Sequence, residues 1–140
     1  MRGAANVLVD TGPLVAWLSA DDAYHDWTKE QFARLRPPLT TCEAVLSEVV
    51  FLLHRAGKSV EAVPQLIQRG VLQVMPVLQS EAPAIAALMR KYSDVPMSLA
   101  DACLVRLSES IVHAVVFTLD TDFSFYRRRG RSAIPVLMPY

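Results

Sequence analysis

The sequence predicts an α/β fold with a mostly parallel central sheet covered by helices on both faces. Three observations carry that expectation. Short apolar runs alternate with longer amphipathic segments along the whole chain, the pattern of strands connected by crossover helices. The runs read as strands buried on both sides, as parallel strands usually are. Two of them, "NVLVD" and "HAVVFTLD", lead directly into an aspartate. Parallel sheets bind ligands beyond the carboxyl ends of their strands, so Asp10 and Asp120 are placed to share one edge.

Taken in order, "NVLV" (6–9) is a buried strand that stops at Asp10. "TGPLVAWLSA" opens a helix, with Thr11 as a cap and Pro13 in the first turn. "YHDWTKEQFARL" (24–35) has helical spacing that turns Trp27, Phe32 and Leu35 toward a core. "RPPLTT" breaks this helix and offers a short strand at 39–41. "CEAVLSEVVFLLHRAG" is a helix closed by Gly57. "SVEAVPQLIQRG" is expected as a helix bent or interrupted near Pro64. "VLQVMPV" (71–77) reads as a strand, and "SEAPAIAALMRKY" as a helix capped by Ser80. "VPMSLADACLVRLSES" gives a loop and a helix from Ser98. "HAVVFTL" (113–119) and "AIPVLMP" (133–139) complete the strands. No repeat, low-complexity segment or linker intervenes, so residues 1–140 are expected to form a single domain.

Bulk properties narrow the function. Hydrophobic residues make up 52% and charged residues 20% of the 140, a globular composition rather than a disordered one. Fourteen basic side chains balance 14 acidic ones, which argues against a generic nucleic-acid coat but leaves room for a local basic rim. The two cysteines, Cys42 and Cys103, have no metal-ligand spacing and read as small apolar core residues of a reducing compartment. Asp10 and Pro13 interrupt the first apolar stretch, so no signal-peptide core forms. No segment approaches ~20 uninterrupted apolar residues, so no membrane span is expected and the cytoplasm is the expected location.

Four segments carry acids that can converge. Asp10 taken alone reads as a solvated strand-end carboxylate or a partner of the next helix N-terminus. Glu48 lies mid-helix on a face with Val45, Val49 and Leu52, where a charge is costly unless paired, metal-bound or reaching water. Glu43 fits a capping box with Thr40, and Asp101 fits another with Ser98. Asp101 nevertheless sits in the first turn of a buried-looking helix, close to the strand ends. Asp120 and Asp122 follow a strand; turn chemistry explains one of them well and both less well. Several carboxylates held together raise one another's pKa, and a divalent cation removes the conflict. Only oxygen ligands are on offer, so that cation would be hard, Mg²⁺ or Mn²⁺. Such ions bridge carboxylates to phosphates, which points to phosphoester chemistry. "RRRGR" follows, with Arg127, Arg128, Arg129 and Arg131. It reads either as a solvated loop or partner patch, or as a receiver for a polyanionic backbone beside the acids.

Together "VLVDTGPLVAWL", "LSEVVFLL", "SLADACLVRLSE" and "VFTLDTDFSFYR" resemble, in order, the acidic motifs of PIN-domain nucleases, and most of all the VapC-like toxins of type II (VapBC) toxin–antitoxin systems. The resemblance implies a Rossmann-like sheet and an Mg²⁺- or Mn²⁺-dependent endoribonuclease. It implies that Asp10, Glu48, Asp101 and Asp120 hold metal, that Thr118 belongs to the threonine–x–aspartate motif, and that Asp122 is an auxiliary acid. It also implies an RNA substrate, a homodimer and a cognate antitoxin that covers the site. Trp17, Leu18 and Trp27 are candidates for that contact, against the alternative of ordinary core.

Other classes fit less well. A haloacid-dehalogenase phosphatase needs a second aspartate where Gly12 stands, and a receiver domain needs a late lysine, yet none follows Lys91. No phosphate-binding glycine motif and no GxSxG occurs. His25, His54 and His113 form no evident triad or zinc set. A housekeeping RNA-processing nuclease and a non-catalytic PIN-like module that binds RNA or protein remain as alternatives.

Overall fold

The computed structural model describes residues 5–140. Strand β1 (Asn6–Val9) leads into helices α1 (Thr11–Leu18) and α2 (His25–Arg34). Next come β2 (Leu39–Thr41), α3 (Glu43–Arg55), α4 (Ala62–Gln68) and β3 (Leu72–Val74). Helices α5 (Leu78–Lys91) and α6 (Leu99–Ser110) precede β4 (Ala114–Phe117). A 3₁₀ turn at Thr121–Ser124, a hairpin of β5 (Arg127–Arg128) and β6 (Ser132–Ala133), and β7 (Val136–Leu137) close the chain.

Five strands form one sheet in the order β3-β2-β1-β4-β7, and every pairing in it is parallel. The chain moves outward from β1 to β2 to β3, then returns to lay β4 on the other side of β1. The switch in direction falls between β1 and β4, where a crevice opens at the carboxyl ends in sheets of this type. The register there pairs Val9 with Phe117, so Asp10 and Thr118 are level with each other.

Burial follows the sequence pattern. Leu8 and Val9, Val116 and Phe117 are fully buried at the heart of the sheet. Val45, Val49 and Leu53 recur at helical spacing on the inner face of α3 and are likewise buried. At roughly 1.5–3 kcal/mol per fully buried aliphatic or aromatic side chain, these few residues account for much of what holds α3 to the sheet. Trp17 stacks on Phe32 with ring centroids 4.0 Å apart, and Trp27 meets Phe117 edge-on at 5.8 Å. Both tryptophans, and Leu18, are partly buried and pack against the core. Cys42, at the N-cap of α3, and Cys103 in α6 are free and buried.

Several caps differ from the expectation. Asp10, not Thr11, occupies the N-cap position of α1, and Thr11 is already helical. Cys42 is the N-cap of α3, so the Thr40–Glu43 capping box does not form; Thr40 lies in β2 and takes a hydrogen bond from Gln73 instead. Helix α5 starts at Leu78 after Val77 and kinks at Glu81, so Ser80 is inside it. Pro64 does not bend α4 but stands in its first turn, where its missing N–H costs nothing. Only the Ser98–Asp101 capping box forms as read. Among the described residues no helix is long and apolar enough to cross a membrane.

Candidate active site

The crevice at the switch point is a cavity of about 430 Å³ lined by Asp10, Glu48, Asp101 and Asp120, with Thr11, Gly12, Leu52, Pro96, Ser98 and Leu119. Four acids from four separate segments therefore meet in one place. Asp10 comes from the end of β1, Glu48 from the middle of α3, Asp101 from the first turn of α6 and Asp120 from the turn after β4.

Each carboxylate is held by a specific donor. The Thr118 hydroxyl, wholly buried, donates to Asp10 Oδ2 at 2.8 Å. The same oxygen of Thr118 accepts the Asp120 N–H at 2.9 Å, so one threonine fixes two acids. Thr11 Oγ1 donates to Glu48 Oε1 at 2.9 Å. Tyr126 OH and the Ser98 N–H both donate to Asp101 Oδ2, at 3.0 and 3.3 Å. The Asp122 N–H donates to Asp120 Oδ1 at 2.9 Å, capping the 3₁₀ turn. These bonds engage one oxygen of each acid. The other four, Asp10 Oδ1, Glu48 Oε2, Asp101 Oδ1 and Asp120 Oδ2, take no part in them.

Burial has an electrostatic cost. Asp10 is only 5% exposed. Burial pushes its carboxyl up to about 7, opposed by the Thr11 amide and the Thr118 hydroxyl and reinforced by the charges of Asp101 and Asp120. Burial also raises Asp101, against the pull of Tyr126 and Ser98, with Asp120 adding repulsion. Burial, and then the Asp101 charge, hold the Tyr126 phenol up in turn, so it stays a donor. Buried carboxylates that repel one another are costly to ionise, and a cation would relieve that cost.

The donor set suits a hard divalent ion. All free atoms are carboxylate oxygens, with no thiolate or imidazole among them. Among the described residues no three acids are drawn together into a finished ligand cage.

The structure brings together Asp10, Glu48, Asp101, Asp120 and Thr118. Asp122 does not line the cavity; it acts through its backbone N–H on Asp120. Leu52 is 40% exposed and lines the cavity rather than the core. Glu48 thus sits at the edge of the apolar face of α3, half-buried. Arg127, Arg128, Arg129 and Arg131 do not line the crevice. Arg129 binds Glu109 near the carboxyl end of α6, through its N–H at 2.6 Å and Nη2 at 2.9 Å. Asp101 lies at the other end of that helix, ~12 Å away along its axis at 1.5 Å per residue.

Three contributors carried no clear signal. Tyr126 reads in the sequence as one more core aromatic. Thr11 reads as a cap. Gly12 is explained by contact: a Cβ there would stand 3.1 Å from the Leu119 Cβ, so glycine lets α1 approach the loop that carries Asp120.

A parallel α/β sheet with an acidic crevice at its switch point defines a Rossmann-like fold whose candidate site offers oxygen ligands. The PIN domain family model matches residues 7–129. The chain belongs to the PIN domain family. Among solved structures it is similar to VapC20 of Mycobacterium tuberculosis, a sarcin–ricin-loop-cleaving toxin, with 24% sequence identity and a TM-score of 0.75 over 86% of this chain and 94% of that one. At that identity the likeness is one of fold. No curated protein sequence matches the chain.

Proposed function

We propose that the chain, as one PIN domain, is a divalent-metal-dependent endoribonuclease and the toxin of a toxin–antitoxin pair. The observation that carries this reading is the set of four carboxylates from four segments, each tied at one oxygen by a named donor, around a single crevice. Asp10, Glu48, Asp101 and Asp120 would hold Mg²⁺ or Mn²⁺, directly or through water. The ion supplies positive charge that polarises a phosphodiester and an attacking water. The protein's own part is positional. Thr118 keeps Asp10 and Asp120 in fixed relation, Tyr126 and Ser98 orient Asp101, and Thr11 orients Glu48. RNA as substrate is favoured by the likeness to a toxin that cleaves an RNA loop.

A protein inhibitor fits the surface next to the crevice. Phe51 and Leu52 are exposed on α3, Leu52 lines the crevice, and Arg55 stacks over Phe51 with its guanidinium carbon 5.6 Å from the ring centroid. An antitoxin segment laid on this apolar strip would cover the acids. A homodimer and a cytoplasmic setting belong to the same reading.

The test is cleavage of a mixed RNA pool by purified protein, with Mg²⁺ or Mn²⁺ against EDTA and wild type against Asp101→Asn. Cutting that needs metal and is lost in the variant supports the reading. Equal cutting by Asp101→Asn, or cutting in EDTA, sinks it.

A further inference from the structure

The arginine run that does not reach the acids lines a place of its own. Arg128 and Arg129, with His113, border a cavity of about 510 Å³. Ala5, His113 and Pro135 mark it as the amino-terminal edge of the sheet, opposite the acidic crevice. Its walls include Ile111, Val115 and Pro135, and among the described residues no acidic side chain lines it.

The backbone around this cavity is unusual. His113 (φ 57°) and Arg129 (φ 53°) are the two non-glycine residues with positive φ among the described residues, and both line it. Such conformations persist only where neighbours hold them, and they concentrate at functional sites. Asn6 holds the first: its N–H donates to the His113 carbonyl at 3.0 Å and its side chain to the Val112 carbonyl. Glu109 holds the second through the Arg129 N–H. The other Glu109 oxygen takes Arg106 Nη1 at 3.1 Å, and the Arg129 guanidinium bonds the Glu109 carbonyl rather than its carboxylate. Among the described residues neither Arg128 nor Arg129 forms a salt bridge. Two arginines without an ion pair among the described residues, Arg129 bonded through Nη2 to the Glu109 carbonyl, thus line a hollow with apolar walls.

We propose that this cavity is a second RNA contact, which takes a backbone phosphate of a single strand on Arg128 and Arg129 and an adjacent base against the apolar wall. The inference rests on the ribonuclease reading for the identity of the polyanion. Guanidinium forks match phosphate oxygens, and sequence-tolerant strand binding pairs cations with surfaces that bases lie against. The length of α6 separates this contact from the acids, so an RNA reaching both must extend a few nucleotides beyond the cut.

The experiment is equilibrium binding of a labelled single-stranded oligoribonucleotide in EDTA, across a salt series. It compares wild type with Arg128→Gln/Arg129→Asn; asparagine is chosen because it tolerates the left-handed backbone. The expected result is several-fold weaker binding. The slope of log affinity against log salt should also fall by ~0.7 for each phosphate that the variant no longer neutralises. Unchanged affinity and slope in a folded double variant overturn the proposal. So does adenosine monophosphate competing as well as the oligonucleotide, which would make this a free-nucleotide site. If the double variant does not fold, amide shifts of His113 and Arg128–Gly130 in the wild type on adding the oligonucleotide decide, and their absence overturns the site. The ribonuclease reading fails differently, by absence of metal-dependent cutting in protein that binds RNA. Wild type that binds no RNA removes both.

Discussion

Replacing Asp10 by asparagine should make the metal-free protein more stable at alkaline pH while abolishing its chemistry. The Asp10 carboxyl moves from its ordinary 3.8 to about 7 on folding. At ~1.4 kcal/mol per pH unit that displacement is worth ~4 kcal/mol. The sign follows from proton counts. Below about pH 4 both folded and unfolded chains hold the proton and there is no effect. Between about 4 and 7 the folded chain keeps a proton the unfolded chain has lost, so stability falls as pH rises. Above 7 the full penalty stands. Asparagine removes it. The Thr118 hydroxyl can still donate to the amide oxygen, but the new NH₂ is left without a partner, a loss of ~1–2 kcal/mol. The net expectation is a gain of ~2–3 kcal/mol at pH 8 and none at pH 4.5. Urea unfolding in EDTA at the two pH values measures both. Adding Mg²⁺ at a hundredfold over its dissociation constant should stabilise wild type by ~2.7 kcal/mol and the variant far less. A variant less stable than wild type at pH 8 in EDTA would refute the claim that burial dominates at Asp10.

Three further substitutions probe the scaffold of the site. Thr118→Val leaves the Asp120 N–H buried and unpaired, at a cost of ~1–3 kcal/mol; it also removes a bond that favours ionised Asp10, so the acidic limb of the cleavage–pH profile should move to higher pH. Tyr126→Phe should cost ~1 kcal/mol in thermal unfolding and move the same limb the same way, because Asp101 loses a donor; an unmoved profile would mean that Asp101 does not titrate in the working range. Gly12→Ala places a methyl 3.1 Å from Leu119, an overpacking worth ~1–3 kcal/mol; cleavage rate should fall more than stability, since Leu119 carries Asp120 with it.

What the sequence shows and what it hides divide on physical lines. The strands were legible because burial on both faces leaves a continuous apolar run, and the acids at their ends were legible because nothing apolar explains a charge there. The observed strands are shorter than those runs, as β3 (Leu72–Val74) shows against residues 71–77. Capping was poorly legible. Thr11 and Thr40 have the right chemistry, but pairing in the sheet and the Glu48 carboxylate claimed their hydroxyls. Thr118 was legible only through the family motif; its double hydrogen bond depends on the β1–β4 register, a contact across 108 residues. Tyr126 carried no sign because an aromatic beside Phe123 looks like core, and it is core as well. Arg128 and Arg129 lie close in sequence to Asp120 and Asp122, yet line a different cavity. A 3₁₀ turn and a hairpin are enough to carry them from one edge of the sheet to the other.

The strand order has a consequence for how the protein is made. Asp10 is translated early, but the neighbour that completes its surroundings, β4 with Thr118 and Asp120, belongs to the last fifth of the chain. A nascent polypeptide lacking β4 exposes one flank of β1 and has no crevice at all. The crevice therefore forms only once β4 has paired with β1. Bringing the four acids together is thus a property of topology, carried by a strand pairing between segments about a hundred residues apart.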